Sequence, residues 1–523
     1  MKRRTFTKLL GAAGAAPAAM PAPEAGATAY RSPSPFDVGT RAQLFADRVL
    51  VRETAGISFT LHPAGKHPLN PLVKADRPWE GWRLEIYGNV IYDRRERRFK
   101  MWYLGEAPNY YLPSAEGPSS DNPTLYATSS DGIHWEKPLV GTIPALHGGR
   151  HNAILAATHL ASVIPDEQDP DPGKRYKMIC YRHLPAAARG YHTMISADGI
   201  HWAPYSRLPI CPGADVITGY FDEQRRQYVA LAKIGMEIRG HRRRVFHTIT
   251  STDFENWTQP VLSLYPDLED DAGSLARIEE VRPILDRPDD AALMRTEFYG
   301  MGFYPSESCT LGFAWVFTIN NNARYGNQEG PFELQLAVSR DLMNWQRPFR
   351  TPCVPRGTIG EWDCGIFVTQ SRALRVGDEI WLYYGGANYT HGTPCLYRRE
   401  GTGRGTRYTG SIGLAKWKLD RFVSVDAGAE GGTLTTVPVV FSGDRLELNA
   451  RTHPGGSIAV TLTDAAGRPI ERFEQSEPFR GDALRQTIAW PGGRGPGSLT
   501  GKPVCLRFHL RAAELYSFAF RQA

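Results

Sequence analysis

Apolar and polar residues alternate along most of this chain, in short runs that end at Asp, Gly, Pro or a cluster of charges. Tyr126-Ala127-Thr128-Ser129 is one such run, and "LGFAWVFTI" from Leu311 is a denser one. A period of two with frequent turn residues predicts strands joined by tight connections rather than helices. The pattern also repeats. "DGIHW" stands at Asp131 to Trp135 and again at Asp198 to Trp202, inside the longer copies "LYATSSDGIHWEKP" from Leu125 and "YHTMISADGIHWAPY" from Tyr191. Looser copies are "FHTITSTDFENWTQP" from Phe246 and "LQLAVSRDLMNWQRPF" from Leu334, and a degenerate fifth is "GSIGLAKWKLDRFVSVD" from Gly410. The Asp falls at 131, 198, 253 and 341, with Trp always four positions later. Spacings of 67, 55 and 88 residues are too uneven for a solenoid and suit propeller blades with loops of different length.

Each copy has a direct physical reading. The alternating segment is a strand, and Ser-x-Asp-Gly is a tight turn in which Asp bonds the backbone after it and Gly accepts positive φ. Trp then starts an outer strand and fills space between sheets. The recurring Asp is therefore a turn residue, not a catalytic one. A second repeat precedes the first: "VIYDRRERRFKMWYLG", "DPDPGKRYKMICYRH", "GYFDEQRRQYVALAKIG", "LGFAWVFTI" and "RVGDEIWLYYGGAN" are middle strands, most of them with the turn that leads in. Five such units between about 36 and 426 predict an all-β, five-bladed β-propeller. From 431 to 523 the texture changes to short strands without the Asp-Gly-x-x-Trp unit, which predicts a small C-terminal β-sandwich as an accessory domain.

Composition sharpens this picture in three places. A chain of 523 residues exceeds one compact core, in keeping with a repeat domain plus a second domain. The net charge is +6, but residues 1–29 hold Lys2, Arg3, Arg4 and Lys8 against Glu24; the rest carries only about +3, with no basic run of the kind nucleic acids bind. Those first 29 residues read as an export signal, basic and then small and apolar, with Ala27-Thr28-Ala29 as the cleavage site and Arg3-Arg4 in a twin-arginine-like context. A periplasmic or extracellular location is expected, without membrane insertion. The seven cysteines contain no C-x-x-C pair and are read as buried small hydrophobes.

The Ser-x-Asp-Gly-x-x-Trp blade signature and the strands after it resemble five-bladed glycoside hydrolases of families 43 and 32, and more loosely the family 130 mannoside phosphorylases. The chain is also similar to exported bacterial glycosyl-hydrolase-like proteins that open with segments such as "QLFADRVLV". Family 32's Asn-Asp-Pro-Asn, Arg-Asp-Pro and Glu-Cys segments are missing here, which argues against sucrose or fructan chemistry. The resemblance implies carboxylates on different blades that act on a glycosidic bond.

The inner strand of each blade lines the axial funnel. The expected inner strands are "RLEIYGNVIYD", "GRHNAILAA", "GADVITGYFD", "RTEFYGMGFYP" and "EWDCGIFVTQ". They place Glu85, Asp215, Glu297, and Glu361 with Asp363, near strand starts, where an isolated carboxylate is costly without a partner or a role. Following the family arrangement, Asp215 and Asp363 are the expected pair. Glu297 is the expected general acid, desolvated by Phe298, Tyr299 and Tyr304, and Glu85 is the fourth candidate. The plainer reading of each is a carboxylate paired with Arg83, Arg150 or Arg295. Substrate contacts are expected from Arg83, His151, Asn152, Glu361, Trp362, His391, Trp82 and Tyr87, with Trp79 beside them; for any single Trp, blade packing competes. Loops from Glu106 and Asn320 would rim the site. No metal-ligand spacing, dinucleotide fingerprint or Walker loop occurs; no cofactor is expected, and a structural calcium or sodium ion stays open. The expected function is hydrolysis of terminal sugars from a plant or algal polysaccharide. A lyase or phosphorylase on the same scaffold, with His151, His391 and Arg83 serving the lyase, and a non-catalytic carbohydrate-binding protein are the alternatives.

Overall fold

The computed structural model describes residues 35–105, 122–143, 149–156, 158–185, 187–323, 328–392 and 408–522. The expected export signal, most of the first-blade loop, part of the fourth-blade loop and Cys395 lie outside them. Five antiparallel sheets form the propeller. Blade 1 comprises Leu84–Asp93, Arg98–Gly105, Thr124–Ser129 and Ala153–Leu155; blade 2 comprises Thr158–Pro165, Tyr176–Arg182, Gly190–Ser196 and Ala203–Pro204. Blade 3 comprises Ile217–Asp222, Gln227–Ile238, His241–Ser251 and Val261–Leu264; blade 4 comprises Arg295–Pro305, Thr310–Ile319, Phe332–Ser339 and Pro352–Val354. Blade 5 runs Ile366–Thr369, Glu379–Ala387 and Gly410–Lys418, and takes its outermost strand, Gly65–Lys66, from the start of the chain. That pairing, Lys66 opposite Ala415, closes the ring across distant parts of the sequence.

The repeated motif serves as both a turn and a clamp. Asp131 Oδ1 accepts from the backbone N–H of Ile133 and His134 at 2.8 Å, and Asp198, Asp253 and Asp341 do the same in their blades. The Trp does not open the outer strand, as the sequence suggested. In blades 2, 3 and 4 its indole N–H donates back to the carbonyl of the residue after Asp, closing the turn, and the outer strand begins later. That same carbonyl is gripped by a neighbouring blade: Trp102 Nε1 donates to Gly199 O at 2.8 Å and Tyr383 Oη to Gly132 O at 2.6 Å. Gly132 and Gly199 have φ of 74° and 80°, and a Cβ on Gly199 would sit 2.8 Å from the Trp102 ring. The looser copies place Phe254 and Leu342 in the same left-handed conformation.

Two sequence expectations are corrected here. "GRHNAILAA" is not the inner strand of blade 2. Its strand, Ala153–Leu155, is the outer strand of blade 1, and the funnel strand of blade 2 is Thr158–Pro165. Residues 36–61, expected within the propeller span, instead pair with the C-terminal strands. There Val51–Ala55, Ser58–Leu61, Val423–Ala427, Gly432–Thr436, Arg445–Thr463, Asp482–Ile488 and the long Cys505–Arg521 share one eight-stranded sheet with Gln43–Leu44. This unit has its own apolar core, with Phe45, Phe508, Phe518 and Trp490 buried together. Among the described residues no helix is long and apolar enough to cross a membrane.

Candidate functional site

All five inner strands run in the same sense along the axis, so they begin at one mouth of the funnel and end at the other. The front mouth, where they begin, holds a cavity of about 280 Å³ lined by Arg83, Glu85, Tyr87, His159, Tyr181, His183, Asp215, Tyr299, Tyr389 and His391. Glu85 and Tyr87 come from blade 1, His159, Tyr181 and His183 from blade 2, Asp215 precedes the inner strand of blade 3, and Tyr299 lies on that of blade 4.

Asp215 is the centre of this arrangement. Its backbone is left-handed, with φ of 73°, a conformation unusual for a residue with a side chain and one that turns the carboxylate toward the axis from just before the strand. One oxygen accepts from His159 Nδ1 at 3.1 Å and the other from Lys233 Nζ at 2.6 Å. Burial alone would raise its pKa, but the Lys233 charge and then His159 outweigh it and hold the carboxyl well below the usual carboxylate range. Burial brings Lys233 down to about 8, with Asp215 resisting the shift and Arg244 adding to it. Lys233 Nζ also lies 3.9 Å from the centre of the Tyr299 ring. His183 Nε2 approaches His159 Nδ1 at 3.4 Å, and burial, then the neighbouring His159, lowers His183 to about 4.

Glu85 is the second carboxylate at the cavity. Arg83 Nη1 meets its Oε1 at 2.8 Å and also donates to Tyr389 Oη at 2.9 Å. His391 Nδ1 lies 2.6 Å from the carbonyl of Gln328; because a carbonyl only accepts, Nδ1 carries the proton. Burial, then the Arg244 charge, depresses His391 to about 3, so it is a neutral ring at the wall. Tyr87 stacks on Trp315 at 5.9 Å, and burial raises its hydroxyl well above the ordinary value.

Several expected residues sit elsewhere. Asp363 does not line the cavity: it is buried under blade 5, 2.7 Å from Lys66 Nζ, and accepts from Tyr384 Oη at 2.8 Å. Lys66 is the residue that closes the propeller, so Asp363 neutralises the closure strand. Glu297 is 1% exposed and held between Arg295 Nε, at 2.7 Å, and Arg244. Two guanidinium groups engage its two oxygens, which leaves neither to carry a proton to a leaving group. Glu361 caps its own turn through Thr358, and Trp362 stacks on Tyr384 at 5.5 Å. Asn152 joins Trp79 Nε1 to Tyr103 inside blade 1, with His151 buried next to it. Trp82 packs on Tyr389 at 5.6 Å, behind the cavity wall. Sequence reasoning missed His159, His183, Lys233 and Arg244, and with them Tyr181 and Tyr389 of the cavity wall. His159 follows from moving the blade 2 funnel strand to Thr158, for which the alternating "THLASVIP" is the signal; His183 ends the segment already read as the middle strand of blade 2. Lys233 and Arg244 come from the second and third strands of blade 3, where nothing in sequence marks an inward charge.

Among the described residues no group of three or more His, Cys, Asp or Glu side chains is set out to ligate a metal. No protein-family model matches the chain, and no curated protein matches it. Solved structures similar to it include a thermostable family-43 glycoside hydrolase, at 12% identity, covering 69% of this chain and 96% of that one, with a TM-score of 0.41. They also include a β-1,2-mannobiose phosphorylase from Listeria innocua, at 12% identity over 68% and 97%, TM-score 0.40. An N-acetylgalactosamine deacetylase from F. plautii, in complex with blood group B trisaccharide, is 12% identical over 73% and 96%, TM-score 0.38.

Proposed function

We propose that this protein is an exported glycoside hydrolase that takes the terminal sugar of a polysaccharide into the front cavity. The observation that carries the reading is the convergence of two carboxylates from separate blades, Glu85 and Asp215, on one cavity of about 280 Å³. That volume suits a single sugar ring rather than an extended chain, which supports action at a chain end. Asp215, kept ionised by Lys233 and His159, is the carboxylate that faces the reacting carbon or the attacking water. Glu85, paired with Arg83 at the cavity wall, is the carboxyl group that exchanges a proton with the leaving oxygen. Tyr181, Tyr299 and Tyr389 supply apolar faces and hydroxyls that suit a sugar's two kinds of surface. The basic, then apolar N-terminus supports export.

The test is a screen of the purified chain against aryl glycosides and natural polysaccharides, followed by Asp215→Asn and Glu85→Gln. Release of a terminal sugar that both variants lose, with substrate binding retained, supports the assignment. Unchanged turnover in both variants overturns it. An unsaturated uronate product would replace hydrolysis by elimination, and saccharide binding with no bond cleavage would make the protein a binding module.

A further inference from the structure

The same inner strands that open at the front mouth end at the rear mouth, and the cavity there is larger, about 580 Å³. It is lined by the last residues of the inner strands of blades 1 to 3, by Tyr92, Phe221 and Glu223, and by Arg372 just past the inner strand of blade 5. Two smaller cavities, of about 240 and 80 Å³, are also lined by Arg372, so its side chain stands where three depressions meet. The backbone there is fixed. Phe303 N donates to Ser371 O at 2.8 Å, Ala373 N donates to Phe303 O at 2.7 Å, and Ser371 Oγ lies 2.6 Å from Ser162 Oγ on the axis.

Arg372 differs from the ion-paired arginines of the propeller. Arg83, Arg244 and Arg295 at the front mouth, and Arg340 and Arg347 between sheets, each meet a carboxylate. The Arg372 side chain is partly buried and, among the described residues, makes no hydrogen bond or ion pair. The groups that act on it are Glu223, Tyr220, Tyr304 and Asp222. None is within bonding distance, and Asp222 is already bound by Arg225 at 2.8 Å. A guanidinium withdrawn from water without a partner is unfavourable unless something else supplies an acceptor. Its planar fork matches a carboxylate or a sulfate ester, either of which can accept two parallel hydrogen bonds. The surroundings suit a sugar carrying such a group: Tyr92 is 43% exposed at the rim, and Phe221 is partly buried in the wall.

The geometry points to the rear mouth as a second glycan site, separate from the front cavity, that binds an acidic polysaccharide through Arg372. It holds polymer to the protein and takes no part in bond cleavage. Polygalacturonate is the probe, with dextran as the neutral control and polyglutamate as the acidic peptide control, in affinity electrophoresis and titration calorimetry of the full chain at physiological salt. The expected result is retention by polygalacturonate and not by dextran, weakened at least tenfold by Arg372→Met and left unchanged by Asp215→Asn. A thermal melt of Arg372→Met checks that the variant is folded. Glu223→Gln, at an exposed position, removes the competing carboxylate and should tighten binding two- to fivefold. Equal binding of dextran, equal or stronger binding of polyglutamate, no binding of polygalacturonate, or a Glu223→Gln variant that binds no better would each overturn the proposal. Because the readout is binding, it stands or falls apart from hydrolysis at the front mouth.

Discussion

At the front mouth Arg83, Lys233, Arg244 and Arg295 each meet a carboxylate, whereas at the rear mouth Arg372 meets none among the described residues. Both mouths are ends of the same inner strands, so the difference comes from the connections that adjoin each end. The rear ends of blades 1, 2 and 3 lead into turns whose leading aspartates are committed locally. Asp93 accepts from the backbone N–H of Arg95 and Glu96, Asp166 from those of Gln168 and Asp169, and Asp222 from those of Gln224 and Arg225. Each of these also holds a Lys or Arg. None of the three is left for Arg372. Except in blade 2, the front ends begin after longer connections, and the acids there face the axis, where cations from other strands reach them. One mouth is thus arranged as a balanced set of charges and the other as an open cation. A balanced pair such as Asp215–Lys233 keeps a carboxylate ionised and aimed without outside help, while an open guanidinium invites a ligand.

The comparison can be broken in several ways. The largest effect should come from Asp215→Asn, which keeps the shape and removes the charge. We expect kcat to fall by roughly 10²–10⁴-fold with KM changed little, measured on whichever substrate the screen identifies; a loss confined to KM would make Asp215 a binding residue only. Next is Glu297→Gln, which strands Arg244 and Arg295. Removing one partner of a buried pair should cost about 3 kcal/mol of stability in a denaturant melt, with kcat of the folded fraction largely kept. If turnover collapses while stability holds, Glu297 belongs to the chemistry after all. Asp363→Asn should cost about 2 kcal/mol by weakening the contact to Lys66 at the ring closure, again without loss of turnover. A pH series sharpens the electrostatics. His183 and His391 are bases held at about 4 and about 3, below the roughly 6.5 of an unfolded histidine. Between those values the unfolded chain binds more protons, so stability is fully present above about 6.5 and is lost as pH falls toward 3. His391→Gln should flatten that slope in melts taken from pH 7 to 4. The smallest effect is expected from Tyr92→Ala at the rear rim, a two- to threefold loss of polygalacturonate binding from one exposed ring.

The blades were legible in sequence because a propeller repeats a local event. The Ser-x-Asp turn, the alternating strand before it and the spacing of the middle strands are all set by neighbours in the chain, and the structure contains each of them. Where a local signal was thin, the assignment slipped. Ala153–Leu155 and Thr158–Pro165 are separated by only a few residues, and period two cannot tell an outer strand from the inner strand of the next blade. That slip replaced His159 by His151 and Asn152. The closure strand Gly65–Lys66 and the assignment of residues 36–61 to the C-terminal sheet were invisible for a different reason. Both depend on pairings across more than 300 residues, which leave no periodic trace.

The sequence by itself determined that this is an all-β chain of five repeated sheets, that the recurring Asp residues close turns, and that acids stand near the starts of funnel strands. Those properties follow from residue type and spacing alone. Only the tertiary structure decided which acids share a cavity. Asp215 and Glu85 line the front mouth, while Asp363 serves Lys66 and Glu297 serves two arginines, although all four looked alike in sequence. A carboxylate's role depends on the cation that reaches it, and here most of those cations come from another strand or from the far end of the chain.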